Sequence, residues 1–307
     1  MENIEKIEEL QNVLRKNPSD AQTRRELAVM LSDGGFDDEA LDNFLYLSKI
    51  SPDDSFVFYN LGILFEKKKD LEKAEFNYKK AVLLAPNDSD ARYNLGLVEI
   101  SLGKYNDAVE NFEKILEIDN NDANVYFNIG LSYFKLKQFD GAMYNFQRTI
   151  EIDETDFYAH FYIGNIYLIN GDTDNAKTSF EKVIEITPDY SWAYYNLAWI
   201  YNEKGDLTKC FEMLEKTLEY NSKDVETYKL YARLLMLVNE FEKAHEIAAL
   251  GLEECGPNGD LYYILAVIGK EIGDRVQYKE NLEKSIRNFK SLTFPVQAVD
   301  TELKSLK

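Results

Sequence analysis

The sequence predicts an all-α solenoid built from about eight helix-turn-helix units of 34 residues, with a helix covering each end. Three observations predict it. Small residues recur every 34 positions, at Ala28, Gly62, Gly96, Gly130, Gly164, Ala198, Ala232 and Ala266. A second small series follows twelve residues later, at Ala40, Ala74, Ala108, Ala142, Ala176, Cys210 and Ala244, with Tyr278 in the last unit. A third series, aromatic or aliphatic, runs Phe44, Tyr78, Phe112, Phe146, Phe180, Leu214, Ala248 and Leu282. Self-similarity at a fixed period of this length marks a repeat architecture.

Each unit reads as two helices. In residues 55–88, Phe58, Leu61, Gly62 and Phe65 share one helical face, and Ala74, Tyr78, Ala81 and Val82 share another. Short polar turns such as Lys69-Asp70 and Gly171-Asp172 separate them. Asp54, Asp88, Asp122, Asp156 and Asp224 precede first helices, where a carboxylate can accept the free N–H groups of the opening turn. Pro52, Pro86 and Pro188 fall in phase, and Pro257 comes one residue late. A glycine inside a helix costs about 1 kcal/mol relative to alanine. Its retention at one place in four units predicts a helix approach too close for a Cβ.

The units occupy residues 21–54, 55–88, 89–122, 123–156, 157–190, 191–224, 225–258 and 259–292. A repeat cannot bury its apolar face alone, so stacking supplies the stability and the ends need covers. Residues 1–20 supply one cover, with Ile4, Ile7, Leu10 and Leu14 on one side and a stop at Lys16-Asn17-Pro18. Residues 293–307 supply the other, opening at Pro295 with Val296, Val299, Leu303 and Leu306 on one face. The expectation is one continuous solenoid rather than two domains. Tyr278, bulky where other units are small, predicts an irregular eighth repeat.

With 35 basic and 55 acidic residues among 307, the net charge is −20. Nucleic-acid affinity comes mainly from Lys and Arg displacing counterions, so nucleic acid and anionic membrane surfaces are poor partners. No apolar run approaches the ~18 residues that span a bilayer. The N-terminus alternates charged and apolar residues without the core of a signal peptide, and two cysteines form no disulfide framework. A reducing cytoplasm is the expected setting.

The pattern resembles the tetratricopeptide repeat family. Tyr126-x-x-Ile129-Gly130-x-x-Tyr133, followed by Ala142 and Phe146, matches the family's order, and Tyr194-x-x-Leu197-Ala198-x-x-Tyr201 nearly does. Arg24 and Arg92 depart from it, standing where an aromatic is usual. The resemblance implies a right-handed superhelix whose inner face is lined by the first helix of each unit, and a protein or peptide as ligand. On that reading the inner positions of repeats two to six carry the candidate binding residues: Phe56, Tyr59, Asn60, Tyr93, Asn94, Asn128, Tyr158, Tyr162, Asn165, Trp192, Tyr195, Asn196 and Trp199. Aromatic side chains are typical binding anchors. Fifth-position rings such as Tyr59, Tyr93 and Tyr195 also commonly brace neighbouring repeats, which leaves Tyr158, Trp192 and Trp199 as the sharper candidates. Asn at the sixth position in four of five successive repeats resembles the asparagine ladder of some peptide-binding members, each amide offering a donor and an acceptor. The family's co-chaperone clamp, with Lys and Arg at second, fifth and sixth positions of adjacent repeats, is missing, since the second and sixth positions hold no cation and the inner-face cations Arg25, Lys229 and Arg233 do not form the set.

Nothing in the sequence assembles a reaction centre. Asp33-Gly34-Gly35 and Gly256-Pro257-Asn258-Gly259 lack the Lys-Ser/Thr of a phosphate loop. His160 and His245 lie in different units, and with two distant cysteines they make no zinc site. The expectation is a non-catalytic interaction scaffold, without cofactor or metal, that binds a neutral or basic protein segment. Its alternatives are a self-assembling scaffold, cued by Tyr278 with Tyr262 and Tyr263, and an accessory subunit of an enzyme.

Overall fold

Polar breaks between the apolar stretches end one helix and begin the next. In the computed structural model, which describes residues 2–306, the described residues form eighteen α-helices, one short 3-10 turn and no strand. Helix α1 spans Glu2–Lys16. Eight hairpins follow: α2 (Ala21–Asp33) with α3 (Asp37–Ile50), α4 (Ser55–Lys67) with α5 (Leu71–Leu84), α6 (Ser89–Ser101) with α7 (Tyr105–Leu116), and α8 (Ala123–Lys135) with α9 (Phe139–Ile152). Next come α10 (Phe157–Ile169) with α11 (Thr173–Ile186), α12 (Ser191–Glu203) with α13 (Leu207–Tyr220), α14 (Val225–Leu237) with α15 (Phe241–Cys255), and α16 (Gly259–Glu271) with α17 (Arg275–Arg287). A 3-10 turn at Phe289–Ser291 leads to α18 (Val296–Lys304). The chain divides into two compact units, residues 1–159 and 160–307, with the division inside α10.

In the first unit, neighbouring hairpins pack second helix to first helix, α3 on α4, α5 on α6 and α7 on α8. In the second, α11 meets α12, α13 meets α14 and α15 meets α16 in the same way. Asp54, Asp88, Asp122, Asp156 and Asp224 each accept a backbone N–H of the turn that follows, as expected, and Asp20 and Asn258 do the same for α2 and α16.

The turn within each hairpin depends on one backbone position. Residues 35, 69, 103, 137, 171, 205, 239 and 273, each 34 apart, all have positive φ, from 59° at Lys137 to 80° at Gly273. The following N–H then reaches back to close the first helix, as Asp70 to the Phe65 carbonyl at 2.9 Å and Gln138 to that of Tyr133 at 2.9 Å. Glycine holds the position in five repeats, and Lys69, Lys137 and Asn239 hold it in the others. Those three substitutions hide the signal from a reading of the sequence.

The periodic small residue meets a ring. A Cβ on Gly62 would lie 2.5 Å from the Tyr78 ring, and one on Gly96 would lie 2.6 Å from Phe112. Gly130 and Phe146 would meet at 2.9 Å, and Gly164 and Phe180 at 2.8 Å. The rings of Tyr78, Phe112, Phe146 and Phe180 are fully buried. Repeats six and eight divide the volume differently, with Ala198 opposite Leu214 and Ala266 opposite Leu282. The close approach predicted from the glycines is therefore a helix backbone pressed on a ring from the second helix.

Three sequence expectations change. Arg24 and Arg92 stand in the usual aromatic slot, and each guanidinium donates to a loop carbonyl, Pro18 at 2.8 Å and Pro86 at 2.9 Å. The Tyr194 hydroxyl makes the same bond to Pro188 at 2.9 Å. The eighth repeat is regular, and Tyr278 is only 5% exposed. Gly269 makes room, since a Cβ there would lie 2.9 Å from the Tyr278 backbone nitrogen, and the Tyr278 hydroxyl donates to Glu302 on α18. At the N-terminus Ile7, Leu10 and Leu14 are buried against Leu27 and Leu31, whereas Ile4 is exposed, beyond the packed side. Val299 of α18 is buried with Ala266, Tyr278 and Leu282.

Two predictions test these constraints. Gly96→Ala should destabilise by about 1–3 kcal/mol despite its better helix propensity. Adding Phe112→Leu should recover part of that loss, as a coupling in a denaturation double-mutant cycle. At the turn, Lys137→Gly should raise stability by about 1 kcal/mol, because it removes the side-chain clash of a left-handed residue. An unchanged or lower denaturation midpoint would contradict that account.

Candidate functional site

On a first helix, residues at the second, fifth, sixth and ninth positions of a repeat lie three, four and seven apart and share a face. The candidates occupy this face of α4, α6, α8 and the start of α10 in the first unit. In the second unit they occupy it on the rest of α10 and on α12. Their surroundings differ by position.

Fifth-position rings are packed. Tyr59 lies 5.9 Å from the buried Tyr78 and Tyr93 lies 5.7 Å from the buried Phe112, centroid to centroid. Phe127 and Phe161 repeat the contact, 5.6 Å from Phe146 and 5.7 Å from Phe180. These rings brace the hairpin. Burial pushes the hydroxyls of Tyr59, Tyr93 and Tyr195 up, and Asp90, Asp122 and Asp224 respectively push them the same way, so each stays a neutral phenol. Phe56 is half-buried, 6.3 Å from Phe44 and covered by the Arg25 guanidinium 4.1 Å above its ring. Arg25 is in turn held by Asp54 at 3.0 Å.

Three further rings are more open, although Tyr158 also lies 4.1 Å from Phe157 and 6.4 Å from Phe127. Tyr158 is 48% exposed, Trp192 49% and Trp199 40%, which is unusual for the largest apolar side chains. Trp192 meets Tyr195 edge-on at 6.1 Å, so α12 presents three aromatic residues within two turns. Tyr162 and Asn165 are half-buried on α10, with Tyr162 edge-on to Phe161 at 5.9 Å.

The asparagines do other work than the sequence suggests. Asn60 and Asn196 donate to their own helices, to the carbonyls of Phe56 and Trp192, both at 2.8 Å. Asn94 donates to the Tyr59 hydroxyl at 3.1 Å, linking repeat three to repeat two. Asn128, only 8% exposed, donates to both the Tyr93 hydroxyl at 3.1 Å and the Asn124 carbonyl at 2.8 Å. Both of its N–H bonds are taken. A ladder that gives and accepts in every rung is therefore closed at Asn128, and its Oδ1 is the atom left over.

Three carboxylates gather elsewhere. Glu75, Glu99 and Asp107 bring oxygens within 4.8 Å of one another, the spacing of a metal site. Lysines already supply the counter-charge: Lys104 lies 2.6 Å from Glu75, and Lys79 lies 2.6 Å from Glu75 and 3.2 Å from Glu99. Burial alone would raise the Glu75 carboxyl, but Lys104 and Lys79 hold it below its ordinary value. Glu99 goes the other way, pushed up by its deeper burial. The thiols are not activated either, since burial pushes Cys210 up to about 11 and raises Cys255 as well.

Comparison with known proteins gives the architecture its family. Profiles described as tetratricopeptide repeat match residues 55–88 and 123–156, 77–110 and 179–212, and 158–190, and one described as TPR repeat matches 97–137. No curated protein sequence matches the chain. Among solved structures it is similar to YrrB, described as a TPR protein with an unusual peptide-binding site, at 28% identity over 62% of this chain and 98% of that one, with a TM-score of 0.52. It is similar to MamA at 27% identity, covering 56% of this chain and 94% of that one, with a TM-score of 0.51. A tetratricopeptide repeat protein from Parabacteroides merdae shares the fold at 17% identity, over 82% of this chain and 98% of the other, with a TM-score of 0.58. With the repeat period, the ring-on-glycine hairpins and these matches in agreement, the chain belongs to the tetratricopeptide repeat family.

Proposed function

We propose that the chain is a non-catalytic scaffold that binds an extended peptide segment of a protein partner on the exposed aromatic face of its first helices. The observation that carries this reading is the division of labour among the rings. Fifth-position aromatics are committed to packing, while Trp192 and Trp199 in the second unit, and Tyr158 in the first, remain largely exposed. Large rigid rings with little rotamer entropy to lose are effective anchors. The likeness to YrrB supports a peptide as the class of ligand.

The asparagine side chains serve as acceptors in this mechanism, taking N–H groups of the bound backbone on Oδ1. Carboxylates at Asp90, Asp122 and Asp224 border the rings, and the whole chain carries −20, so a neutral or basic segment is favoured and nucleic acid is disfavoured. No helix of the chain is long and apolar enough to cross a membrane among the described residues. A cytoplasmic setting fits this chemistry. Self-association loses its sequence cue, because Tyr278 is buried under α18 rather than exposed.

Both tryptophans of the protein lie on α12, so intrinsic fluorescence reports the site directly. Peptides selected by display against the full chain should shift the emission to the blue on binding. Trp192→Ala with Trp199→Ala should weaken their capture about 30-fold or more, the effect of losing a hot spot worth about 2 kcal/mol, while far-ultraviolet dichroism is unchanged. Selected peptides that bind the double variant as well as the parent would defeat the proposal.

A further inference from the structure

The second, fifth, sixth and ninth positions of the eight repeats hold three cations, Arg25, Lys229 and Arg233. Two of them are answered within the chain. Arg25 is held by Asp54 at 3.0 Å. Lys229 lies 3.0 Å from the buried Asp260 and 2.6 Å from Glu226. Asp260 also accepts the Thr293 backbone N–H at 2.7 Å and the Thr293 hydroxyl at 2.9 Å, which pins the chain's own extended segment between the 3-10 turn and α18. Arg233 differs. It is exposed on α14, and among the described residues no carboxylate forms an ion pair with it.

The sequence around Arg233 exchanges the polarity of two register positions. Arg233 fills the ninth position, where the other repeats place an apolar residue or, at Asn165, an amide. Leu237, four residues later on the same helical face, fills a position that is polar in the other repeats except the fifth, which has Ile169. Leu237 is 78% exposed. Together they border a groove of about 570 Å³, within the range of about 300–1,000 Å³ usual for ligand sites. Met236 and Phe241, packed on the core of the second unit, and Val267 of α16 give it an apolar floor. Glu271, near the end of α16, brings a carboxylate to the same groove. It too is exposed, and among the described residues it has no ion-pair partner. Trp199, Arg233 and Val267 hold the ninth position of successive repeats, so the groove follows the tryptophan-bearing face of α12 in register.

An apolar floor between two unanswered charges of opposite sign is complementary to an apolar group between two charges. A terminal carboxylate would answer Arg233 and leave Glu271 without a partner, so the match is an internal segment of a chain. In an extended segment alternate side chains fall on one side, which spaces the three groups as acidic-x-aliphatic-x-basic. We infer that Arg233, Leu237 and Glu271 form a docking site for such a segment of a partner protein. Its carboxylate pairs with Arg233, its aliphatic side chain covers Leu237 and the floor, and its cation pairs with Glu271. The inference rests on the peptide-binding reading above and names the chemistry of one part of that ligand, which is neutral overall.

The probes are two labelled, terminally blocked peptides, Glu-Ser-Leu-Ser-Lys and the reverse order Lys-Ser-Leu-Ser-Glu, titrated into the full chain and followed by anisotropy. One order should bind saturably and one-to-one, more weakly at high salt. Arg233→Gln should weaken it about tenfold or more, the loss of a charged hydrogen bond, and Leu237→Ser should weaken it as well. Both residues are exposed, so far-ultraviolet dichroism should not change. Arg233→Glu should reject the bound peptide and hold Lys-Ser-Leu-Ser-Lys more tightly than the parent does. Absence of saturable binding by both orders, or equal binding to Arg233→Gln, would overturn the inference. So would tighter, Arg233-dependent binding of Ser-Ser-Leu with a free C-terminus, which would make a chain end the ligand. A dimer of the full chain that Leu237→Ser returns to monomer would make a second copy the occupant and overturn it likewise. Tryptophan-dependent capture at α12 is a separate readout: if it persists while these titrations fail, only the inference falls.

Discussion

A ring pressed onto bare backbone sets the spacing of two helices, and nearly everything else in this molecule follows from that spacing. Where Gly62, Gly96, Gly130 and Gly164 meet Tyr78, Phe112, Phe146 and Phe180, an added Cβ would sit at 2.5–2.9 Å from ring atoms. Each glycine weakens its helix by about 1 kcal/mol, which burial of the facing ring, worth roughly 1.5–3 kcal/mol, offsets. Because the contact recurs every 34 residues, one hairpin geometry recurs with it. Each hairpin then offers the next the same face, which is the condition for stacking. The left-handed residue at the turn is the second half of this constraint, since it sends the second helix back along the first at the angle the ring requires.

That packing also sorts the aromatic residues by role. Rings at the fifth position touch the same buried rings from the other side, as Tyr59 touches Tyr78 and Tyr93 touches Phe112. Their hydroxyls are then tied to the next repeat by Asn94 and Asn128. The result is a firm wall whose polar groups are largely satisfied. Second-position rings instead meet the repeat before them, as Phe56 meets Phe44 and Tyr158 meets Phe127. Trp192 and Trp199 on α12 are the more open rings, 49% and 40% exposed.

Much of this was legible in the chain, and the exceptions have physical reasons. The period, the paired helices and the Asp caps followed from spacing alone, because burial and capping act locally and leave a pattern along the chain. Close approach at the glycines was also legible, though the ring that enforces it lies sixteen residues away. Tyr278 misled, because its room comes from Gly269 and its hydroxyl partner from Glu302, neither of them in its own register series. Arg24 and Arg92 look like departures from the aromatic slot only if the slot is defined by shape. Defined by the loop carbonyl it must satisfy, Arg and Tyr are equivalent there. The asparagine row was legible as a row, yet its amide hydrogens go to carbonyls of their own helices and to tyrosine hydroxyls of the preceding repeat, partners that the row itself does not reveal.

Repeat eight shows what one first-helix face can do with an extended chain, and its grip turns on where the counter-charge resides. A buried carboxylate is tolerable only when its charge is met, and Asp260 is met by Lys229, by the Thr293 N–H and by the Thr293 hydroxyl. These bonds outweigh the effect of burial, which alone would raise its pKa, and hold the carboxyl below the ordinary value. The own segment is tethered, so it binds at high effective concentration and needs no great affinity. A foreign segment has no tether. It must gain from contacts what the own segment gains from connection, and in an acidic protein the contact most readily gained is a cation near an unpaired carboxylate. Asp260 is thus closed by the chain itself, Lys229 and Thr293 together supplying the charge and the donors that its burial requires.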